Sequence, residues 1–258
     1  MTFRFPSAFV SHGSPTLIRD DCPVRTFLQN YGEALGRPTA IVVVSAHWET
    51  DPIRVSHSAA PPTIHDFYGF PPELYELTYP APGDPVLAGR IVDLLHRHGF
   101  AAETDDQRGL DHGAWVPLKL MYPRADVPVL QVSLPAGHST DHALKLGRAL
   151  MPLRDEGALI LGSGNVTHNL SEFRGAALDS PPPGWVTAFA DWVEDAVALD
   201  DRQGLVNYRN VAPAAVENHP SEEHYTPLLV ALGAGGAGQA VHRSYTYAVL
   251  GMDAYAFD

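Results

Sequence analysis

Cysteine is nearly missing from this chain of 258 residues: Cys22 stands alone. A single thiol forms no intramolecular disulfide and builds no thiolate metal cluster. Basic residues are also scarce, 17 Lys and Arg against 30 Asp and Glu, giving a net charge of −13. Such a surface repels nucleic acid and anionic membranes, so neither is expected as a partner. No apolar run approaches the roughly 18 residues that a spanning helix requires. The segment Met1–Phe9 lacks the basic region, long apolar stretch and cleavage site of a secretory signal. A cytoplasmic location is the default expectation. A dinucleotide fingerprint is lacking too, because G-A-G-G-A-G at Gly233–Gly238 follows a helical pattern and precedes a strand. That is the wrong order for a phosphate-binding turn, and the segment reads as a flexible turn.

Apolar material and histidine are plentiful. Hydrophobic residues make up 45% of the chain, enough for a sizeable core, and 22 Gly with 23 Pro point to many ordered loops. Short apolar runs alternate with longer helical patterns. Ala8–Ser11, Ala40–Ser45, Pro52–Ser56, Ala101–Thr104, Pro128–Ser133 and Ala158–Gly162 read as strands, with His242–Leu250 closing the chain as another. The run A-I-V-V-V-S at Ala40–Ser45 has no polar break, as in a strand buried on both faces. Helices are expected over Pro23–Leu35, from the capping Asp84 to about His98, and over Ala114–Met121, Asp141–Met151, Pro183–Ala198 and Glu223–Leu232. The loop Ala60–Pro82 is rich in proline and aromatics. The alternation predicts an α/β fold, a single domain over residues 1–258 around a central mixed, mostly parallel sheet flanked by helices.

Four of the 13 histidines fall in separated segments that end apolar runs or sit in turn-rich loops: His12, His47, His168 and His224. Imidazole is the commonest biological metal ligand, and strand ends can gather ligands far apart in sequence. His12 and His47 share a context, an apolar strand followed by Ser and then His. Either one alone reads as a satisfied core residue; the matched pair reads as ligands. His168 follows a strand through Gly162 and Gly164, whose freedom permits unusual backbone angles. Asn165 and Asn169 are placed to orient an imidazole by hydrogen bonding. Near the C-terminus, N-H-P-S-E-E-H-Y-T-P puts His224 in the first turn of a helix, and spacing alone leaves open whether His219 or His224 turns inward. Glu217, Glu222 and Glu223 are further candidate ligands, though carboxylates at a helix start usually serve the dipole. His112, in D-H-G-A-W, is placed to bond a substrate, while Asp111 reads equally as a helix cap. His65 belongs to the aromatic loop, which either lines a pocket for a flat ligand or packs on the sheet. His57, His96, His98, His138, His142 and His242 share no context and read as surface or packing residues.

Taken together, S-H-G-S-P, S-A-H-W-E-T, I-H-D-F-Y-G-F-P, D-H-G-A-W-V-P-L, G-S-G-N-V-T-H-N-L and H-P-S-E-E-H-Y-T-P-L occur in a telling order. From about Phe9 to the C-terminus the chain resembles class III (LigB-type) extradiol ring-cleavage dioxygenases, in their 4,5-DOPA dioxygenase-like branch. The resemblance implies metal ligation by His12, His47 and His224. It makes His168 either the base beside the metal or a fourth ligand when zinc is bound, and His112 a substrate contact. It implies Fe(II) for activity, with Zn(II) an alternative occupant of an all-histidine site. The implied reaction joins a catechol, DOPA-like or related, and O2 to give a muconic semialdehyde. Three neutral ligands leave the charge of Fe(II) uncompensated, which favours a dianionic catecholate. A zinc hydrolase on the same histidines is the alternative, although H-E-x-x-H is absent; a non-enzymatic metal-binding relative is another. A serine hydrolase is disfavoured, since G-S-G-N lacks the G-x-S-x-G pattern. Nothing in the sequence sets the oligomeric state.

Overall fold

Central strands of a covered sheet are the most apolar segments of a chain, because both of their faces are buried. In the computed structural model, which describes residues 4–258, strands of this kind carry the sheet. β1 (Ser7–Ser11), β2 (Ala40–Ser45), β3 (Val129–Gln131) and β4 (Ala158–Gly164) are buried at every position. The start of Met1–Phe9, residues 1–3, lies outside the described residues. With β5 (Gly238–His242) and β6 (Ala254–Phe257) these strands form a six-stranded sheet, ordered β5-β6-β1-β4-β2-β3. The pairings β1–β4, β4–β2 and β2–β3 are parallel, while β6 runs antiparallel to β1 and β5. The result is a mixed, mostly parallel sheet in a single α/β domain, as the alternating pattern predicts.

The period-2 alternation of the strands divides the core between the two faces of the sheet. Phe9, Val42, Val44 and Ile160 face α2 (Pro85–Arg97), α4 (Thr140–Leu150), α5 (Gly184–Ala198) and α6 (Thr226–Ala234). Val10, Ile41, Val43 and Leu161 face α1 (Pro23–Leu35) and α3 (His112–Met121). Helix α6 is buried from Pro227 to Ala234 and apolar on every side, as a helix enclosed by its neighbours must be. Asp84 caps α2 by accepting from Leu87 N at 2.9 Å, and Pro85 opens the helix. Among the described residues no helix is long and apolar enough to cross a membrane.

Three expectations need correction. His242–Leu250 is not one strand: β5 ends at His242, and Tyr247 and Ala248 take left-handed φ values of 51° and 62°. Tyr245–Thr246 and Leu250–Gly251 join Thr167–His168 in a small separate sheet, and the strand that closes the main sheet is β6. The helix expected over Glu223–Leu232 begins at Thr226, so residues 221–225 form a turn that holds His224 ahead of the helix. Of Gly233–Gly238, Gly233 still belongs to α6 and Gly238 opens β5, leaving only residues 235–237 as the turn.

Candidate metal centre

Parallel strands bring their carboxyl ends to one edge of the sheet, and three of the histidines arrive there. Ser11 of β1 pairs with Gly164 of β4, and Ser45 of β2 with Ser163. His12 follows β1 directly, His47 lies two residues past β2, and His168 lies beyond β4 on the short strand Thr167–His168. His224 reaches the same place from the turn before α6, with its backbone close against β4. A Cβ on Gly164 would lie 2.1 Å from the His224 carbonyl oxygen, and one on Gly162 2.2 Å from that of Pro227. Neither glycine has a positive φ. Their role is close approach, not an unusual backbone angle.

The ring nitrogens converge. His12 Nε2 and His47 Nε2 are 3.0 Å apart, and one nitrogen from each of His12, His47 and His224 lies within 4.8 Å of the others. Two imidazole nitrogens bonded to one ion at about 2.1 Å and at right angles stand ~3.0 Å apart. Hydrogen bonds on the far side of two rings fix which nitrogen is free. Pro117 has no N–H to offer the carbonyl four residues earlier, so the Gly113 carbonyl of α3 is released from the helix ladder. Ser163 Oγ donates to that carbonyl and in turn accepts from His12 Nδ1 at 3.0 Å. The His12 lone pair is therefore on Nε2. His224 Nδ1 donates to Glu223 Oε1 at 3.0 Å, leaving its Nε2 buried with no hydrogen-bond partner. A buried acceptor without a donor is costly unless a cation takes it. The donor set thus fits a metal that prefers nitrogen ligands.

Burial lowers the pKa values of these rings. His12 and His224 fall well below the usual imidazole range, and burial with the neighbouring His112 brings His47 down to about 4. All three are neutral at pH 7, the form that binds metal. His168 stacks face to face on His224, ring centres 3.5 Å apart and planes 8° from parallel. Its nitrogen converges with Glu223 and His224, not with His12 and His47. Burial takes its pKa down to about 4, with Glu223 pulling the other way.

His112 opens α3 and faces His47, with ring centres 4.0 Å apart. Asp111 caps that helix by accepting from Ala114 N at 3.1 Å. Its buried carboxylate also accepts from Ser45 Oγ at 2.7 Å, from Gln131 Nε2 at 2.7 Å and from Arg108. Of the two readings of D-H-G-A-W, the helix cap by Asp111 is the one the structure bears out. Asp66 meets His112 from the aromatic loop, Oδ1 accepting from the backbone N at 2.9 Å and from Nδ1 at 3.0 Å. Burial works to raise the Asp66 carboxyl, but the His112 hydrogen bonds outweigh it and hold it at about 2. Phe67 stands edge-on to His112 at 5.7 Å.

Other candidates lie elsewhere. His219 is buried among Phe189, Tyr208 and Tyr225, donates from Nε2 to the Val166 carbonyl at 2.7 Å, and is a core residue. Glu217 is exposed, and Glu222 pairs with Arg209. Asn165 accepts from Gly13 N and Asn169 donates to the Glu217 carbonyl, so both brace backbone and neither orients a ring. His65 bonds the Leu77 carbonyl within the loop. Trp48 is buried beneath Arg108, whose guanidinium lies 4.9 Å from its ring centre. Sequence reasoning missed Ser163 and Asp66. Pro117 inside a predicted helix signals a carbonyl in need of a donor, but nothing local in the sequence singles out Ser163 or Asp66.

Residues 6–258 match the family described as the catalytic LigB subunit of aromatic ring-opening dioxygenase. A Beta vulgaris relative named 4,5-DOPA dioxygenase extradiol is 44% identical over 96% of this chain and 95% of its own length. A relative of the same name from Escherichia coli K12 is 42% identical over 90% of this chain and 85% of its own. The crystal structure of an uncharacterized Escherichia coli K12 protein superposes with a TM-score of 0.80 at 34% identity. It covers 99% of this chain and 100% of that one. The protein is an enzyme, a dioxygenase of the extradiol class. It belongs to the LigB family over nearly its whole length.

Proposed function

We propose that this enzyme opens the ring of a DOPA-like catechol with O2, giving a muconic semialdehyde, and that Fe(II) is its working metal. The observation that carries the proposal is the convergence of His12, His47 and His224, with the free Nε2 of His224 buried and unpaired. The names of the 44% and 42% identical relatives support the substrate class. Bound by these three imidazoles, Fe(II) supplies the electron relay that lets triplet O2 react with a closed-shell catechol. His168, neutral at pH 7, takes a proton from a substrate hydroxyl and later returns it. Its stacking on His224 keeps it beside the metal ligands, and its separation from His12 and His47 favours a base over a fourth ligand. His112 orients a substrate oxygen through Nε2, and Phe67 walls that side of the site. A cytoplasmic setting, where glutathione maintains a reducing poise, suits an enzyme that depends on ferrous iron.

The test is anaerobic loading of metal-free protein with Fe(II) or Zn(II), then admission of oxygen over a panel of catechols. The iron-loaded protein is expected to consume O2 and form a yellow semialdehyde, and the zinc-loaded protein to do neither. Equal turnover with zinc, or turnover without oxygen uptake, refutes the proposal. In the same assay H168A is expected to keep its metal and lose turnover; loss of the metal instead makes His168 a ligand.

A further inference from the structure

We propose that Asp66 is a positioning residue, holding His112 as the Nδ1–H tautomer so that the ring offers Nε2 to the site as a proton acceptor. One oxygen, Asp66 Oδ1, faces both the backbone N of His112 at 2.9 Å and its Nδ1 at 3.0 Å. The backbone N–H can only donate, so Oδ1 is an acceptor there. The N-terminus of α3 favours the charged carboxylate, which has no proton to give to Nδ1. The ring nitrogen must therefore be the donor, and in the neutral ring the lone pair falls to Nε2. Among the described residues Asp66 forms no ion pair with Lys or Arg; its ionic neighbours are His112 and, at 3.8 Å, His47 Nδ1.

Phe67, the next residue, stands perpendicular to His112 at 87° and closes off its rotation. Consecutive residues of one loop thus fix both the orientation and the proton of a ring 46 positions away. Without the carboxylate the two neutral tautomers of an imidazole are close in energy, and Nε2 would carry a hydrogen much of the time. A catechol hydroxyl facing His112 meets an acceptor only in the first case. The part played by Nε2 toward substrate rests on the ring-cleavage reading; the tautomer does not.

Zinc is diamagnetic, so zinc-loaded protein labelled with 15N-histidine can be read by two-bond 1H–15N correlation. His112 is assigned by its absence from the H112N spectrum. Native His112 is expected to show a protonated Nδ1 and a bare Nε2. D66N keeps an amide oxygen able to accept both N–H groups and should keep that pattern. In zinc-saturated protein, D66A should shift His112 toward protonated Nε2. In iron-loaded protein, D66A is expected to lose about 10–100-fold in kcat with little change in KM, and D66N to restore much of it. A native His112 protonated on Nε2, or a D66A spectrum identical to native, overturns the proposal. Absence of oxygen uptake by native iron-loaded protein would instead overturn the ring-cleavage reading, leaving the spectrum to decide the role of Asp66.

Discussion

Substituting Ser163 by alanine tests the arrangement behind the metal site. Ser163 is fully buried, and its one oxygen serves two partners, the His12 Nδ1–H at 3.0 Å and the Gly113 carbonyl. The carbonyl has no alternative within α3, because Pro117 occupies the position that would otherwise supply its helical donor. S163A therefore strands a donor and an acceptor together. Each buried unsatisfied group costs about 1–3 kcal/mol, so the metal-free protein should lose roughly 2–6 kcal/mol. For a chain of this size that lowers Tm by roughly 5–15 °C, read by calorimetry. Metal affinity should fall as well, because His12 is no longer held with its lone pair on Nε2. Loss of such an orienting bond typically weakens metal binding about 10–100-fold, equivalent to about 1.4–2.7 kcal/mol. Zinc competition against a chromogenic chelator measures that term separately from stability. Zinc affinity within about twofold of native would refute the reasoning, since His12 would then need no help in choosing its tautomer.

Gly164→Ala places a methyl group 2.1 Å from the His224 carbonyl oxygen, against backbone that has nowhere to retreat. We expect His224 to be displaced and bound zinc to fall well below one per chain by elemental analysis after gel filtration; stoichiometric zinc would contradict this. Acid should also destabilise the metal-free protein. Burial lowers His219 to about 3 and holds His47 and His168 at about 4, against about 6.5 unfolded, so between these values the unfolded chain binds more protons. Stability is then full above pH 6.5 and is lost as pH falls toward 3–4. The buried Asp253 carboxyl, pushed up to about 7, opposes the trend over part of the same range, but three histidines outweigh it by roughly 3 kcal/mol at pH 5. A urea midpoint that stays flat between pH 7 and pH 5 would count against the burial of these rings.

Features determined by neighbouring residues were legible in the sequence. Ala40–Ser45 reads as a buried strand because six consecutive apolar or small residues have few other uses, and β2 has those bounds. Asp84 followed by Pro85 announces a helix start, and α2 has that cap. Features decided by distant partners were not legible. A-Y-A-F at Ala254–Phe257 is too short to declare itself, and becomes β6 only between β1 and β5. The turn at His224 has a local signal: proline is favoured in the first turn of a helix, where its missing N–H costs nothing, and Pro227 stands there in α6. His12, His47, His224, His112 and His168 were all named from sequence context, and the fold brings them to one sheet edge. What context could not supply was their partners. Ser163 serves His12 from 151 positions away and Asp66 serves His112 from 46, and neither distance leaves a periodic trace.

The charge balance of the site also differs from what the ligand residues alone imply. Three neutral imidazoles carry no negative charge, which suggests a dication left to attract a dianionic substrate. The structure sets carboxylates directly behind the rings. Glu223 accepts from His224 Nδ1, and Asp66 lies 3.8 Å from His47 Nδ1 while accepting from His112. Asp111 is also near, but Arg108 already balances it. Among the described residues neither Glu223 nor Asp66 pairs with Lys or Arg, so two formal negative charges remain to face a divalent ion. At an effective dielectric near 20 each such attraction amounts to a few kcal/mol, enough to offset most of the pull on a second substrate charge. On the proposed ring-cleavage reading, a catechol that arrives neutral or singly ionised would suit the site better than a dianion. On that reading its remaining proton would go to a side chain, and His168, which burial brings down to about 4, is the base proposed for it.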